Sequence, residues 1–393
     1  MKSKNILVIS PFFFPEPIST GKFNTNLVNS LKDKGHRVTV LCFHPFYPEW
    51  KTKVSNDTLD GVTIIRGGKS IFYPKIAILR RIVLELSFLF FVLRKIAKHQ
   101  KNKDIILPVF PPSFAFFGIL FFLNKKIRKV GMVHDLQEIY SSNKKGILNK
   151  IISFFINKIE NKCYSSCDKL IFLSEEMKEQ ARSLYDLEKT TIEVQYPFIT
   201  ITDKISNDLG NVLNPENINI VYSGALGEKQ NPEELYDFFK YALDTIDIDN
   251  IFFHIFSQGA DFQKLKEKNS NRKIKFHNLV KKENLEELYK RSDIQIIPQL
   301  PNTSKGSLPS KLPNLLISGC KILVITDKNS EIEKLFKNNN LEKAIHSWNQ
   351  DTILASLKSL ITLKTDKNHQ STIAKKLFTI DQMVEKIINC TLN

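Results

Sequence analysis

The sequence predicts an α/β protein with two doubly wound domains, each built around a parallel sheet. Two observations predict this fold. Short runs rich in Val, Ile and Leu alternate with helical patterns along the chain, as is typical of parallel sheets. A polar stretch at 199–216, broken by Asn-Asp and Asn-Pro steps, divides this alternation into two series. A length of 393 residues suits two domains, which we place at 1–200 and 201–378, followed by a helical segment at 379–393.

The elements follow in order from β-branched runs and from apolar residues at helical spacing. In the first series we predict strands at 5–10, 37–42, 62–66, 104–109, 129–133, 169–173 and 193–196, and helices at 25–34, 76–98, 113–124, 148–165 and 174–185. In the second series we predict strands at 218–223, 251–256, 274–277, 294–297 and 322–325, and helices at 232–243, 260–268, 285–290, 311–318 and 330–336.

Two apolar segments have features of segments that span or lie on a membrane. Residues 105–123 carry no charge and have the length of a membrane span. Pro108, Pro111 and Pro112 interrupt them, so we expect a strand followed by a helix that begins at a proline. Residues 82–93 are too short to span a bilayer. Their basic flanks suit an amphipathic helix in a membrane interface, and they suit equally a core helix with solvated ends.

The formal net charge of +16 is concentrated in the first part of the chain. Residues 1–150 hold 25 Lys and Arg against 9 Asp and Glu, whereas the remainder holds 32 of each. This asymmetry indicates a polyanion or an anionic membrane surface as a partner. We do not expect nucleic acid, because the 29 Phe residues fall mostly in apolar runs rather than among basic residues.

Cysteine usage and the N-terminus bear on the compartment. Five cysteines without a C-x-x-C pair argue against a disulfide framework and indicate a reducing, cytoplasmic setting. Residues 1–10 lack the small-residue cleavage site of a signal peptide, so we read them as a strand.

Ligands of an open parallel sheet bind beyond the carboxyl ends of its strands, so we examine the segments that follow strands. In residues 10–22, Gly21 lies near a helix N-terminus, which attracts anions. An ordinary capped helix would look the same, and no G-x-G-x-x-G is present. His134 and Asp135 end another predicted strand. There His134 can donate to substrate oxygens while Asp135 orients it, although a lone His is more often structural.

Residues 221–232 place Gly224 directly after a strand and Lys229 just before a helix. A glycine lets the backbone approach a ligand, and a cation beside a helix start suits a diphosphate. A turn with a solvated lysine is the alternative.

Residues 305–314 lead into another predicted helix. Ser310 is the predicted N-cap and Lys311 the first helical residue. Asn314 follows on the same face, where it would bind ribose hydroxyls while Lys311 holds phosphate. A simple capped helix is the alternative. No His, Cys or Asp cluster has metal-ligand spacing and no P-loop occurs, so we expect no metal and no cofactor.

The opening strand with residues 11–21, and then residues 45–50, 134–136, 223–230, 298–299 and 308–312, together resemble the GT-B glycosyltransferases of family 4. Each motif is only weakly specific by itself, but the set occurs in the expected order and covers nearly the whole chain. The branch it resembles is that of bacterial capsule, colanic-acid and O-antigen enzymes, which includes fucosyl- and N-acetylfucosaminyltransferases.

This resemblance implies two Rossmann-like domains facing a cleft, the first for the acceptor and the second for a nucleotide sugar, with residues 380–389 as a helix crossing back to the first. The site it implies has His134 facing the transferred sugar and Lys229 and Lys311 on the donor diphosphate. The donor would also meet Gly21, Gly224, Ser310 and, at the ribose, Asn314, and the candidate sugar contacts are Asp135, Lys305 and Gly306.

The sequence departs from the family pattern at three places. Ala225 stands where many relatives carry Arg, so one phosphate contact is missing. Gly306 and Asn314 stand where many relatives carry a pair of glutamates. The sequence therefore does not indicate which sugar the site would bind. Asn278 replaces a glycine in the loop after the third strand of the second domain.

The resemblance implies a retaining, metal-independent transfer from a nucleoside-diphosphate sugar to a polyprenyl-diphosphate-linked saccharide. The reaction would serve capsule, O-antigen or exopolysaccharide synthesis on the inner face of the cell membrane. The alternatives are a GT-B enzyme with a soluble or protein acceptor, a nucleotide-sugar epimerase, and a degenerate, non-catalytic partner subunit. The sugar, the base, the linkage and the oligomeric state stay open.

Overall fold

The computed structural model describes residues 2–136, 147–201, 208–301, 303, 308–364 and 366–389. The chain forms two compact units: Met1–Gln195 together with Ile380–Asn393, and Tyr196–Thr379. The strands of each unit pair in parallel, and helices cover the sheets. The predicted fold class, with two doubly wound parallel-sheet domains, is confirmed.

The first unit contains a seven-stranded sheet in the order β3-β2-β1-β4-β5-β6-β7. Its strands are β1 Asn5–Ile9, β2 Arg37–Phe43, β3 Val62–Gly67, β4 Ile105–Phe110, β5 Arg128–Val133, β6 Lys169–Phe172 and β7 Thr191–Val194. Its first five helices are α1 Ser19–Asp33, α2 Ala77–His99, α3 Ser113–Ile119, α4 Ile147–Ser165 and α5 Glu175–Leu184, and a 3₁₀ turn at Leu120–Phe122 follows α3.

The second unit contains a five-stranded sheet in the order β10-β9-β8-β11-β12. Its strands are β8 Ile218–Ser223, β9 Ile251–Phe256, β10 Ile274–His277, β11 Ile294–Pro298 and β12 Lys321–Ile325. Its helices are α6 Pro232–Thr245, α7 Ala260–Lys268, α8 Leu285–Arg291, α9 Leu312–Ser318, α10 Glu331–Asn338, α11 Gln350–Thr362 and α12 Lys367–Leu377, with 3₁₀ turns at Glu228–Gln230 and Lys282–Asn284.

Two apolar layers sandwich the sheet of the first unit. Successive residues of a strand point to opposite faces, and β1 accordingly sends Leu7 to one core and Ile6 to the other. Helices α2 to α5 cover the first face. On the second face, α1 packs with the last helix, α13 Ile380–Ile388.

Two lysines hold α13 in place. Lys386 Nζ donates to the Val194 carbonyl at 2.6 Å and to Gln195 Oε1 at 2.8 Å. Lys169 Nζ donates to the carbonyls of Lys386 and Asn389 at 3.0 and 3.2 Å, which satisfies carbonyls that a helix C-terminus leaves unpaired. The chain terminus is thereby part of the first unit's core.

Three helices differ from the prediction. Helix α1 begins at Ser19 rather than at residue 25, because Asn24 Nδ2 donates to Ser10 Oγ and to the Phe12 carbonyl, both at 3.0 Å, and ties the first turns to the preceding loop. Helices α11 and α12 were not predicted. Helix α11 carries a helical apolar pattern that the sequence shows, whereas α12 is mostly polar and is stabilised by packing on α9.

Helix α2 buries one side of residues 82–93 in the core and exposes the other. Leu84, Phe88 and Val92 are buried in the core, whereas Ile82 and Phe90 are exposed on the outer side. Residues 105–123 form β4, α3 and the 3₁₀ turn, as expected from their prolines. Across the described ranges, the helices are either too short or too polar to traverse a lipid bilayer.

Candidate active site

A cavity of about 470 Å³ opens at the carboxyl ends of β8 and β11 in the second unit. The chain leaves these two neighbouring strands toward opposite edges of the sheet. This is the topological switch point at which open α/β sheets bind ligands, and the volume suits a small molecule. The residues around the cavity are Tyr222, Ser223, Gly224, Ala225, Lys229, Gln230, Phe256, Leu279, Val280, Leu285, Leu288, Tyr289, Ile297, Pro298, Gln299, Thr303, Pro309, Ser310 and Lys311.

The turn after β8 contributes Gly224 and Lys229. Gly224 has a φ of +133°, which L side chains rarely adopt, and its N–H donates to the Phe256 carbonyl at 3.0 Å. A Cβ there would meet only the Tyr222 hydroxyl oxygen, at 3.8 Å, so the backbone conformation rather than crowding requires glycine. Lys229 is exposed, and its carbonyl accepts from the N–H of Leu300 at 2.8 Å. This bond joins the β8 turn to the segment after β11.

Lys311 places a cation between the ends of the two central strands. Its Nζ donates to the carbonyls of Ser223, at 3.1 Å, and Ile296, at 2.8 Å. The same atom lies 4.7 Å from the centroid of the Tyr222 ring, within range of a cation–π interaction. Burial disfavours the charged form and lowers the pKa of Lys311 to about 7. These partners, two carbonyls and an aromatic ring, are neutral. An anion entering the cavity would therefore add a favourable interaction with the charged lysine.

Two expectations for residues 305–314 are corrected. Helix α9 begins at Leu312, so Lys311 occupies the cap position and Ser310 lies one residue outside it. Ser310 is exposed and lines the cavity. Asn314 is buried and does not line it: Asn314 Oδ1 accepts from the N–H of Thr200 at 2.8 Å, and Nδ2 donates to Thr200 Oγ1 at 3.0 Å. Its amide therefore anchors the chain at Thr200 rather than pointing toward a ribose.

The apolar wall of the cavity was not predicted. Leu279, Val280 and Tyr289 contribute apolar surface to its lining. These residues belong to ordinary apolar patterns, so their sequence carries no signal of a site. Tyr222 could have been noticed, because it is the penultimate residue of β8 and immediately precedes Ser223-Gly224.

In the first unit, His134 directly follows β5, as predicted. Its N–H continues the strand ladder to the Phe110 carbonyl at 2.9 Å, and its ring meets the Phe23 ring edge-on at 4.6 Å. Burial lowers the pKa of His134 to about 4, so the imidazole is neutral at pH 7. Among the described residues, its buried Nε2 has no hydrogen-bond partner. Asp135 is half-buried beside it.

Gly21 serves a close approach within the first unit. It lies in the first turn of α1, and a Cβ there would come within 2.9 Å of the Glu16 carbonyl oxygen. The Glu16 carboxylate accepts from the backbone N–H groups of Phe46, at 3.0 Å, and Tyr47, at 2.8 Å. Sequence reasoning missed Glu16, which links the loop after β1 to the loop after β2.

The structure thus gathers four of the predicted residues, Gly224, Lys229, Ser310 and Lys311, around one cavity. His134, Asp135 and Gly21 lie in the first unit. Lys305 and Gly306 lie outside the described residues. In the described ranges, no group of three His, Cys, Asp or Glu side chains is arranged to hold a metal ion.

Sequence comparison points to one family. Glycosyltransferase Family 4 matches residues 20–203 of the chain. The chain is also similar to WcaI of Escherichia coli (strain K12), a protein named for a glycosyl transferase role in colanic acid biosynthesis. The two are 23% identical over 420 residues, which cover 98% of each chain.

Solved structures share the fold over nearly the whole chain. WaaG, a glycosyltransferase involved in lipopolysaccharide biosynthesis, superposes with a TM-score of 0.65 and 12% identity, covering 98% of this chain and 100% of WaaG. The trehalose-6-phosphate structure from E. coli bound with UDP-2-fluoro glucose superposes with a TM-score of 0.66 and 9% identity, covering 98% of each chain. The family match and the relative show that this chain is similar to family 4 glycosyltransferases, and the structural likenesses show its GT-B fold.

Proposed function

We propose that the chain transfers a sugar from a nucleoside-diphosphate donor to a polyprenyl-diphosphate-linked saccharide during the synthesis of a bacterial surface polysaccharide. The observation that carries this proposal is the switch-point cavity, which combines Lys311, Lys229 and the glycine turn at Gly224. The named roles of WcaI and WaaG favour polysaccharide synthesis as the setting. Capsule, O-antigen and exopolysaccharide stay open as products, as does a fucosyl-type donor.

The cavity suits a nucleoside diphosphate in its two parts. The lining includes two lysines, Lys229 and Lys311, which would stabilise a diphosphate. The lining also includes Leu279, Val280 and Tyr289, whose apolar surfaces suit the flat face of a base. A structure of the same fold bound with UDP-2-fluoro glucose supports a donor of this class.

The proposed reaction breaks the bond between the anomeric carbon and the diphosphate oxygen, and forms a bond from that carbon to the acceptor oxygen. Negative charge develops on the leaving diphosphate, and Lys229 and Lys311 stabilise it. The acceptor proton passes to an oxygen of the leaving phosphate, so no protein base is assigned. Retention of configuration follows from the family resemblance. His134, with a neutral ring and an unpartnered Nε2, is proposed to contact the transferred sugar.

The acceptor is proposed to be lipid-linked because the first unit holds the excess positive charge. Residues 1–150 have a formal net charge of +16, whereas the remaining residues have a net charge of zero. Anionic lipid head groups attract such a surface. The protein would then act at the inner face of the cell membrane, where a polyprenyl-linked saccharide is presented.

A melting-temperature panel tests the donor proposal. UDP, GDP and their sugars are added to the protein, and binding to the native state should raise Tm by a few degrees, since saturation at 100 times Kd stabilises by about 2.7 kcal/mol. UMP and GMP are the controls and should give a smaller shift because they lack the second phosphate. If none of these ligands raised Tm, a degenerate, non-catalytic subunit would replace the enzyme as the better description.

Donor affinity should weaken as pH rises above neutrality. Lys311 has a pKa of about 7 in the free protein, so about nine-tenths of it is charged at pH 6 and about one-tenth at pH 8. Because the diphosphate binds the charged form, we expect Kd for UDP-glucose to rise roughly tenfold over this interval. Both phosphates of UDP-glucose are ionised throughout, so the ligand does not titrate. Calorimetry at pH 8 should also detect proton uptake on binding, and a pH-independent Kd would contradict this account.

A further inference from the structure

One helical layer of the first unit exposes large apolar side chains that the proposed site does not use. Helices α2 and α3 touch so closely that a Cβ on Gly118 would lie 2.5 Å from Leu89 Cδ1. Helix α4 joins α3, where Cys163 Sγ donates to the Ser113 carbonyl at 3.1 Å. We call the outer side of this layer the apolar face and define it by Ile82, Leu86, Phe90, Phe121, Phe122, Phe154 and Phe155.

The apolar face is unusually exposed. Phe121 is 84% exposed and Phe90 58% exposed. On α2, Ile82, Leu86 and Phe90 are four residues apart, so they form one stripe on the side opposite the core. A helix at a protein surface normally carries polar residues on its outer side. The Gln100 side chain donates to the Phe122 carbonyl at 2.9 Å, which holds the turn of Phe121 and Phe122 at the end of α2.

The exposed charges that the structure describes on these helices are all positive. Helices α2, α3 and α4 and the 3₁₀ turn contain two acidic residues, Glu85 and Glu160, and both are buried. The exposed basic residues on or beside these elements include Arg81, Arg94, Lys95, Lys98, Lys125, Lys126, Lys158 and Lys162. The exposed charge that the structure describes on these elements is therefore positive, and it surrounds apolar side chains.

We propose that the apolar face inserts into the interfacial region of a bilayer that contains anionic lipids. Phe and Leu side chains bordered by Lys and Arg are the pattern of an element that lies in a membrane interface. Self-association through this face would set positive charge against positive charge, which disfavours a second copy as the occupant. The inference deepens the proposed function, since it names the surface that would bring the enzyme to a lipid-linked acceptor.

Vesicle co-sedimentation tests the proposal directly. The full chain is mixed with vesicles of equal parts phosphatidylglycerol and phosphatidylcholine, or of phosphatidylcholine alone, at low salt. We expect binding to the anionic vesicles, and binding at least about tenfold weaker to the neutral ones. The double variant Phe90→Ser, Phe121→Ser should bind anionic vesicles about tenfold more weakly than the unmodified chain. Leu363→Ser, which alters an exposed Leu of the second unit, should bind as the unmodified chain does.

A second measurement does not require a variant that loses vesicle binding. In Phe121→Trp, brominated lipids should quench the added fluorescence, whereas Leu363→Trp should gain no quenching beyond that of the unmodified chain. Full vesicle binding by the double variant, or an unquenched Phe121→Trp in vesicle-bound protein, overturns the proposal. A dimer that requires Phe90 and ignores vesicles also overturns it and assigns the face to a second copy.

The two proposals fail separately. The nucleotide melting assay contains no lipid and reads the cavity of the second unit, whereas sedimentation reads the apolar face. Vesicle binding without any nucleotide effect leaves the membrane inference standing and removes the donor proposal. Nucleotide binding without vesicle binding does the reverse.

Discussion

Replacing Lys311 by Met should lower kcat/KM for sugar transfer by roughly 100- to 1000-fold, which corresponds to about 3 to 4 kcal/mol of transition-state stabilisation. Met keeps most of the length of the side chain and removes the charge at the ends of β8 and β11. Donor binding measured by calorimetry should weaken in parallel, because the diphosphate is charged before and after transfer.

The same substitution should change Tm at pH 7 by only a few degrees. Two effects oppose each other: the carbonyls of Ser223 and Ile296 lose a donor, while a cation that burial already disfavours is removed. A large fall in activity with a small change in Tm separates a role at the ligand from a structural one.

Two matched variants control this experiment. Lys334→Met removes an exposed lysine of α10 and should leave transfer unchanged. Lys229→Met should have a smaller effect than Lys311→Met, on the order of tenfold, because an exposed lysine is better screened by solvent. Near-normal turnover in Lys311→Met would rule out the assignment of this residue to the donor.

Placing a carboxylate in the core between α1 and α13 should have the largest effect on stability. Val384 is 1% exposed and packs in the cluster that contains Leu27, Val28 and Leu31. Val384→Asp should reduce the free energy of unfolding of the first unit by on the order of 4 kcal/mol, because a buried polar group has no partner there. Calorimetry should show its transition about 8 to 16 °C lower.

Glu385→Asp is the matched control, since it alters the adjacent exposed residue of the same helix. It should change the free energy of unfolding by less than about 0.5 kcal/mol. If Val384→Asp left the transition of the first unit unchanged, α13 would not be part of that unit's core. Binding of UDP or GDP reports on the second unit and should persist in both variants.

Local sequence patterns were sufficient to predict the strands and several of the residues that line the cavity. Buried β-strands such as β8 and β9 are short, β-branched and bounded by breakers, so their limits can be read from neighbouring residues. Gly224 and Lys229 were found because parallel strands bind ligands where they end, a rule that needs only the strand boundary. The resemblance to family 4 used the same local motifs in their order.

Side-chain direction could not be obtained in this way. Asn314 follows Lys311 by three residues and was expected on the same face, but α9 begins one residue later and Thr200 binds its amide. Tyr289 comes from α8 and reaches the cavity only because α8 packs against the central strands. The partners of these side chains are distant along the chain, so no window of sequence contains them.

The sequence by itself determined the two doubly wound domains, the loops that could bear a site and the concentration of positive charge in the first part of the chain, since each depends on residues close together or on composition. Only the tertiary structure decided which lysine lies between the strand ends, how α13 completes the first unit, and that one side of α2 stays exposed. Those outcomes depend on which distant surfaces meet, and free energy of burial is gained only where they do.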